Sequence, residues 1–218
     1  MPGKVFVYIQ AYNSEKTIRR AIDSIINQTY QDFECLVCNN GSTDKTEEII
    51  KAYQKEDSRI HLVSVEQNSR NVFYDVAMPI FFEKYVEECE FFCNLDSDDE
   101  YLPDFFQNSI TFMNDNNLDI AMGGIYFRDA RTLETIGQRF TDEQVIIEGD
   151  NFSKLFPIYH QYMRTIWGKL YRCSVIKQMD YLKCRIVSYG ADSLFAQEAV
   201  IKSNRVGILN QFIHIYYL

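Results

Sequence analysis

At 218 residues, with 46% hydrophobic side chains, 15% aromatic side chains and four prolines, the chain can bury one continuous core, about a single domain's worth, and is not disordered. A net charge of −9 with no Lys/Arg cluster excludes a nucleic-acid partner, because phosphate backbones are bound by basic surfaces that release counterions. No run approaches the ~18 apolar residues of a membrane span, and residues 1–5 lack the apolar stretch of a secretion signal, so a cytoplasmic chain without a transmembrane segment is expected.

Residues 4–10, Lys-Val-Phe-Val-Tyr-Ile-Gln, are a β-branched and aromatic run of the kind that forms a strand buried on both faces. A turn at residues 11–14 ends it. Ile18, Ala21, Ile22 and Ile25 then recur with helical spacing, which predicts a helix over residues 14–28 that lays one apolar stripe on the sheet. Residues 33–38 predict a second buried strand. It carries Cys35 and Cys38, spaced like a metal or redox pair, but strand residues three apart point to opposite faces and cannot share one metal. They are read as small buried hydrophobes. His61, His160 and His214 are scattered along the chain and are read as packed or surface residues.

A polar turn at residues 39–43 leads into a helix signalled by Asp44 with Glu47 three residues later. Glu15 and Asp44 are taken as plain first-turn acids without chemistry. A third strand at 59–65, a helix at 72–86 and a fourth strand at 91–95 continue a β-α alternation that predicts a largely parallel sheet. Asp96, Ser97, Asp98, Asp99 and Glu100 follow, and residues 101–103 are expected to open the next helix, with Pro103 in its first turn. In open α/β sheets ligands bind beyond the carboxyl ends of strands, so the turns at 10–13, 39–42 and 96–100 should converge on one crevice. From residue 119 the alternation gives way to an irregular second half with hairpin-like polar turns over 128–145. The last residues, 213–218, form an apolar strand-like run and suggest a chain trimmed at its C-terminus.

Carboxylates as close as Asp96, Asp98 and Asp99 repel one another unless a cation neutralises them, and hard divalent ions seek such oxygens. An acidic protein that binds a diphosphate needs a divalent ion between its own carboxylates and the phosphates. The plainer reading of this turn is an acidic cap on the following helix.

Four runs, at residues 9–13, 27–34, 40–44 and 95–99, followed by Trp167 to Arg172 and Tyr189 to Phe195, together resemble the family-2 glycosyltransferases of the GT-A fold. The resemblance implies an α/β fold with a Rossmann-like, mostly parallel sheet flanked by helices. It further implies a single domain over 1–218, with a nucleotide-sugar half (1–118) and an acceptor-side half (119–218). The activity implied is inverting transfer of a sugar from a nucleotide diphosphate-sugar, a UDP-sugar foremost, to a glycan or lipid-linked acceptor, in cell-surface polysaccharide synthesis. Location would be cytoplasmic or peripheral at the inner membrane face. By the same resemblance Asp98, with Asp96, holds a divalent metal, Mn or Mg; Asp96 also serves the ribose. Asp192 is the general base, and Gln10, Ala11, Tyr12, Asn40 and Arg70 form the base-and-ribose pocket. Two positions depart from the family pattern. Gln10 stands where proline or threonine is usual, and Asn39 and Asn40 stand where two aspartates are usual. An asparagine carbonyl still accepts a hydrogen bond, but without charge.

Two other readings are open. A non-catalytic relative that binds a sugar nucleotide or a partner protein is suggested by Asn39 and Asn40, though Asp96, Asp98 and Asp192 are all present. A sugar-phosphate nucleotidyltransferase would want a Gly-rich basic loop after the first strand, which residues 10–14 do not supply.

Overall fold

The computed structural model describes residues 3–185, 187 and 190–218; Tyr189, part of one matched run, lies outside the described residues. Strand β1 (Lys4–Ala11) is flanked by β2 (Phe33–Asn40) and β4 (Cys89–Asp96), and β3 (Ile60–Val65) lies outside β2, all four parallel. Each has a helix or helical stretch beyond its carboxyl end: α1 (Ile18–Ile26), α2 (Thr46–Glu56), α3 (residues 73–85) and α4 (Phe105–Asp115). The alternation in β1 decides the layers. Val5, Val7, Ile9 and Ala11 face the stripe Ile18, Ala21, Ile22 and Ile25 of α1, while Phe6 and Tyr8 face α3. Cys35 and Cys38 fall in opposite layers, both buried as free thiols. Burial pushes the Cys38 thiol up to about 11, so neither a redox nor a metal role suits the pair.

α3 departs from a plain helix. It opens on a π-helical turn at Phe73–Ala77 and closes on another at Phe81–Tyr85. The wider turn lets Val72, Phe73 and Tyr74, consecutive in sequence, all be buried. The helix expected to open at residues 101–103 starts later. Tyr101 instead belongs to a short strand, β5 (Glu100–Tyr101), paired with the last strand, and Pro103 lies two residues before α4. A local helix signal gives way here to a pairing partner more than a hundred residues away.

The second half adds β6 (Ile120–Arg128), β7 (Thr135–Arg139), β8 (Val145–Glu148), α5 (Gly149–Met163), β9 (Lys169–Arg172), α6 (Cys173–Ile176), α7 (Leu182–Arg185), α8 (Ala191–Lys202) and β10 (Arg205–Tyr217). The sheet order is β3-β2-β1-β4-β9-β6-β10-β5. β9 enters antiparallel between β4 and β6, β10 runs parallel to β6, and β7 forms the expected hairpin on β6. No helix among the described residues is long and apolar enough to cross a membrane.

Candidate active site

The first two turns are stitched together by side chains. Asn13 N–H donates to Ser42 Oγ (3.0 Å) and Asn13 Oδ1 accepts from Thr43 N–H (2.9 Å). Ser14 N–H reaches Thr46 Oγ1 (2.7 Å), Glu15 N–H reaches Asp44 Oδ2 (3.1 Å), and Lys45 N–H reaches Glu15 Oε2 (3.1 Å). The acidic turn joins through Ser14 Oγ and Ser97 Oγ, 2.8 Å apart. Glu15 and Asp44 therefore tie loop to loop, and Glu47 bonds Asn39 Nδ2 and Lys51 rather than closing a capping box. Gly41 sits at φ +72, where an added Cβ would fall 2.6 Å from Asn68 N, so the turn requires glycine.

One crevice runs over these turns. Gln10, Tyr12, Arg70, Asp96, Asp98 and Asp192 line it, above a floor that includes Tyr8, Phe73 and Tyr74. Ala11 and Asn40 do not. The Ala11 side chain is in the core beneath α1. Asn40 is buried, its Oδ1 accepting from Ser69 N–H and its Nδ2 donating to Ser69 O, both at 2.9 Å. The amide thus braces the stretch that precedes Arg70. An aspartate could make only one of those two bonds, which gives the departure at this position a structural reason.

Charge is concentrated at the carboxyl end of β4. Burial, then the neighbouring charges of Asp99, Asp192 and Asp98, push the Asp96 carboxyl up to about 8. Burial and Asp99 also raise Asp98, against a smaller opposing pull from Arg20. Asp192 opens to the crevice from the first turn of α8, and desolvation by the crevice walls raises its carboxyl. It is not a cap: Gly190, left-handed at φ 78, holds the N-cap position without a side-chain cap bond. Three carboxyls whose ionised forms are disfavoured, Asp96 most of all, face one cleft, an arrangement that a cation would relieve.

The acidic turn is locked from outside the motif. Asp99 is buried and its Oδ1 accepts from Tyr217 N–H (2.9 Å); its Oδ2 lies 3.3 Å from His214 Nε2, also buried. Arg20 donates to the Asp98 carbonyl and stacks 3.5 Å over the Tyr217 ring. Of the two readings given to the scattered histidines, packed or surface, His214 is packed, and it packs against the acidic turn. No local signal marks Arg20, His214 or Tyr217, because their partners in this turn are 78 or more residues away.

Among the described residues no three metal-ligating side chains are gathered into a cage. The donor set that is present, two crevice-facing carboxylates disfavoured as anions, fits a hard divalent ion of the magnesium type, which binds through one or two carboxylates and fills its remaining positions with water and phosphate oxygens.

The family model described as "Glycosyl transferase family 2" matches residues 6–180. The chain belongs to this family. Glycosyltransferase GlyA of Streptococcus pneumoniae serotype 4 is 28% identical over 98% of this chain and 30% of its own length. Among solved structures, S. aureus TarS 1-349 superposes with a TM-score of 0.77 at 21% identity, covering 98% of this chain and 60% of that one. Its complex with UDP-GlcNAc gives 0.74 at 22%, over 99% and 58%. The chain therefore spans under two thirds of each of these relatives, and the shared fold is the family's GT-A α/β sheet, as expected.

Proposed function

We propose that the chain transfers a sugar, with inversion, from a nucleotide diphosphate-sugar to an acceptor hydroxyl in glycan synthesis at the cell surface. The observation that carries this reading is the single crevice that Asp96 and Asp98 share with Asp192, from distant parts of the sequence. The solved TarS complex with UDP-GlcNAc supports a UDP-sugar as donor. Tyr12, Gln10 and Arg70 form the wall for base and ribose, and Asn40 contributes by fixing the Ser69–Arg70 backbone. Asp98 and Asp96 would hold a divalent metal, which when bound neutralises the diphosphate leaving group. Asp192 accepts the proton of the acceptor hydroxyl as its oxygen attacks the anomeric carbon and the bond to the diphosphate breaks. Its raised pKa brings it nearer the range in which a general base works best. The location that goes with this role is the cytoplasm or its membrane face, where activated sugars and lipid-linked acceptors meet.

The test is a melting experiment with UDP, with and without Mn, since a ligand that binds only the folded state raises Tm. A rise with UDP that requires Mn and is lost in Asp98→Asn supports the reading. A Mn-independent rise, or one that survives Asp98→Asn, removes the metal role from Asp98. No rise with any nucleotide diphosphate favours a partner-binding protein.

A further inference from the structure

On the second half, a row of half-buried aromatic rings leads away from the acidic turn. Tyr216 stands closest to it, its phenol raised by burial and by the charges of Asp99, Asp96 and Asp98. Trp167 stacks on Tyr216 (centroids 4.8 Å apart, 27° between planes), and Ile166 beside it lines the crevice. Phe127 meets the other edge of Tyr216 at 6.1 Å, and the Arg139 guanidinium lies 5.6 Å from the Phe127 ring centroid. Strand register explains the row, since Phe127 pairs with Tyr216 across β6 and β10, and Arg139 pairs with Ile125, on the same face of β6 as Phe127.

The plainer reading is core packing, but Trp167, Tyr216, Phe127 and Arg139 all keep part of their surface open. Charge separates the readings further. In a chain of net charge −9, Arg139 has no carboxylate within ion-pair distance among the described residues; it gives one N–H to Gln161 O at 2.9 Å. Burial lowers its pKa; Tyr162, whose ring lies 5.6 Å from the guanidinium, opposes this, and the neighbouring cation Arg164 lowers it further. Lys169 is fully buried behind the row with its ammonium bonded to Thr165 and Trp167 oxygens, which leaves Arg139 as the half-buried basic group of the row. A half-desolvated guanidinium that meets no acid is left for an anion to complete.

We propose that this ledge is the acceptor subsite and that it takes a glycan bearing a negatively charged substituent, with sugar rings against Tyr216 and Phe127 and the anion at Arg139. The proposal rests on the glycosyltransferase reading above. Aromatic faces and edges supply apolar area to the C–H face of a sugar ring, and a guanidinium supplies paired donors to carboxylate or phosphate.

Trp167 is the one tryptophan of the sequence, so its fluorescence reports the ledge directly and without catalysis. The probes are a hexuronic-acid oligosaccharide, a phosphodiester-linked sugar oligomer and a neutral glucan oligosaccharide. One of the anionic probes should change Trp167 emission saturably at about tenfold lower concentration than the neutral one, an advantage that shrinks in high salt. Which of the two does so separates carboxylate from phosphate. Arg139→Gln should erase the advantage, and Arg139→Lys, which keeps the charge, should retain it. Equal binding of the neutral probe, no emission change with any probe, or an advantage that survives Arg139→Gln would each overturn the proposal. Melting of the same wild-type sample with UDP and Mn tests the donor reading separately, so a failure of one is distinguishable from a failure of the other.

Discussion

The two halves of the molecule use opposite means to build one crevice. In residues 4–118 each parallel strand ends in a short turn, and the turns are held by side-chain bonds between neighbours, Asn13 to Thr43, Glu15 to Lys45 and Ser14 to Ser97. In the second half the residues around the crevice come from a parallel strand pair, a bend and a helix start, and are held by ring stacking and long-range strand register: Trp167 on Tyr216, Phe127 beside it, Asp192 in the first turn of α8. The difference teaches that turns adjacent in a parallel sheet can be fixed by short polar bonds, while side chains gathered from distant segments are held by packing.

The change expected to break this comparison most is Asp192→Asn. Asparagine fits the first turn of α8 and cannot take a proton at neutral pH, so kcat should fall by about 100-fold or more while Tm stays near wild type. Steady-state kinetics beside a melting curve decide it. An unchanged rate would leave Asp192 a surface residue of the second half and move the base elsewhere.

Next comes the acidic turn. With the Asp96 carboxyl pushed up to about 8, the native protein keeps a proton that the unfolded chain gives up near about 4. Between those values the metal-free native state binds more protons than the unfolded state, so its stability should fall as pH rises through that window. Mn affinity should climb over the same window as the proton leaves. Calorimetric Mn titrations and melting at a series of pH values read both trends, and a flat Mn affinity would show that Asp96 is not a ligand.

Asn40→Asp sharpens the comparison from the first half. Were position 40 a base contact, the charged acceptor would tighten uridine nucleotides; held as the side chain is, the substitution would turn a carboxylate oxygen toward the Ser69 carbonyl in a buried site. A loss of about 1–3 kcal/mol in stability is expected, with weaker UDP binding through a loosened Arg70. Tighter UDP binding at unchanged Tm would restore the direct contact. The smallest effect belongs to Ser42→Ala, which removes the acceptor for Asn13 N–H at an exposed site and should cost about 1 kcal/mol or less by denaturant titration.

The first half is legible because its signals are local. The stripe from Ile18 to Ile25, the doubly buried β1 and the acidic run after Leu95 each fit within one element. The rule that ligands sit at strand carboxyl ends then brings the turns that carry Gln10, Tyr12, Asp96 and Asp98 to one cleft. Asn40 escapes that rule, because its identity says nothing about which way its amide turns. Tyr101 reads as the start of a helix because β10, its true partner, lies beyond the reach of any local pattern. The same blindness hides Arg20, His214 and Tyr217, whose importance exists only once the last strand is in place.

That last dependence sets an order of events. The bond from Tyr217 N–H to Asp99 spans 118 residues, a loop whose closure is entropically costly and slow to be repaid. On the ribosome, at roughly 5–20 residues per second, the acidic turn is therefore synthesised several seconds or more before the strand that locks it can emerge. Nascent chains would carry a folded, hydrogen-bonded set of first-half turns with an unfastened acidic turn, and that turn would be locked only with β10.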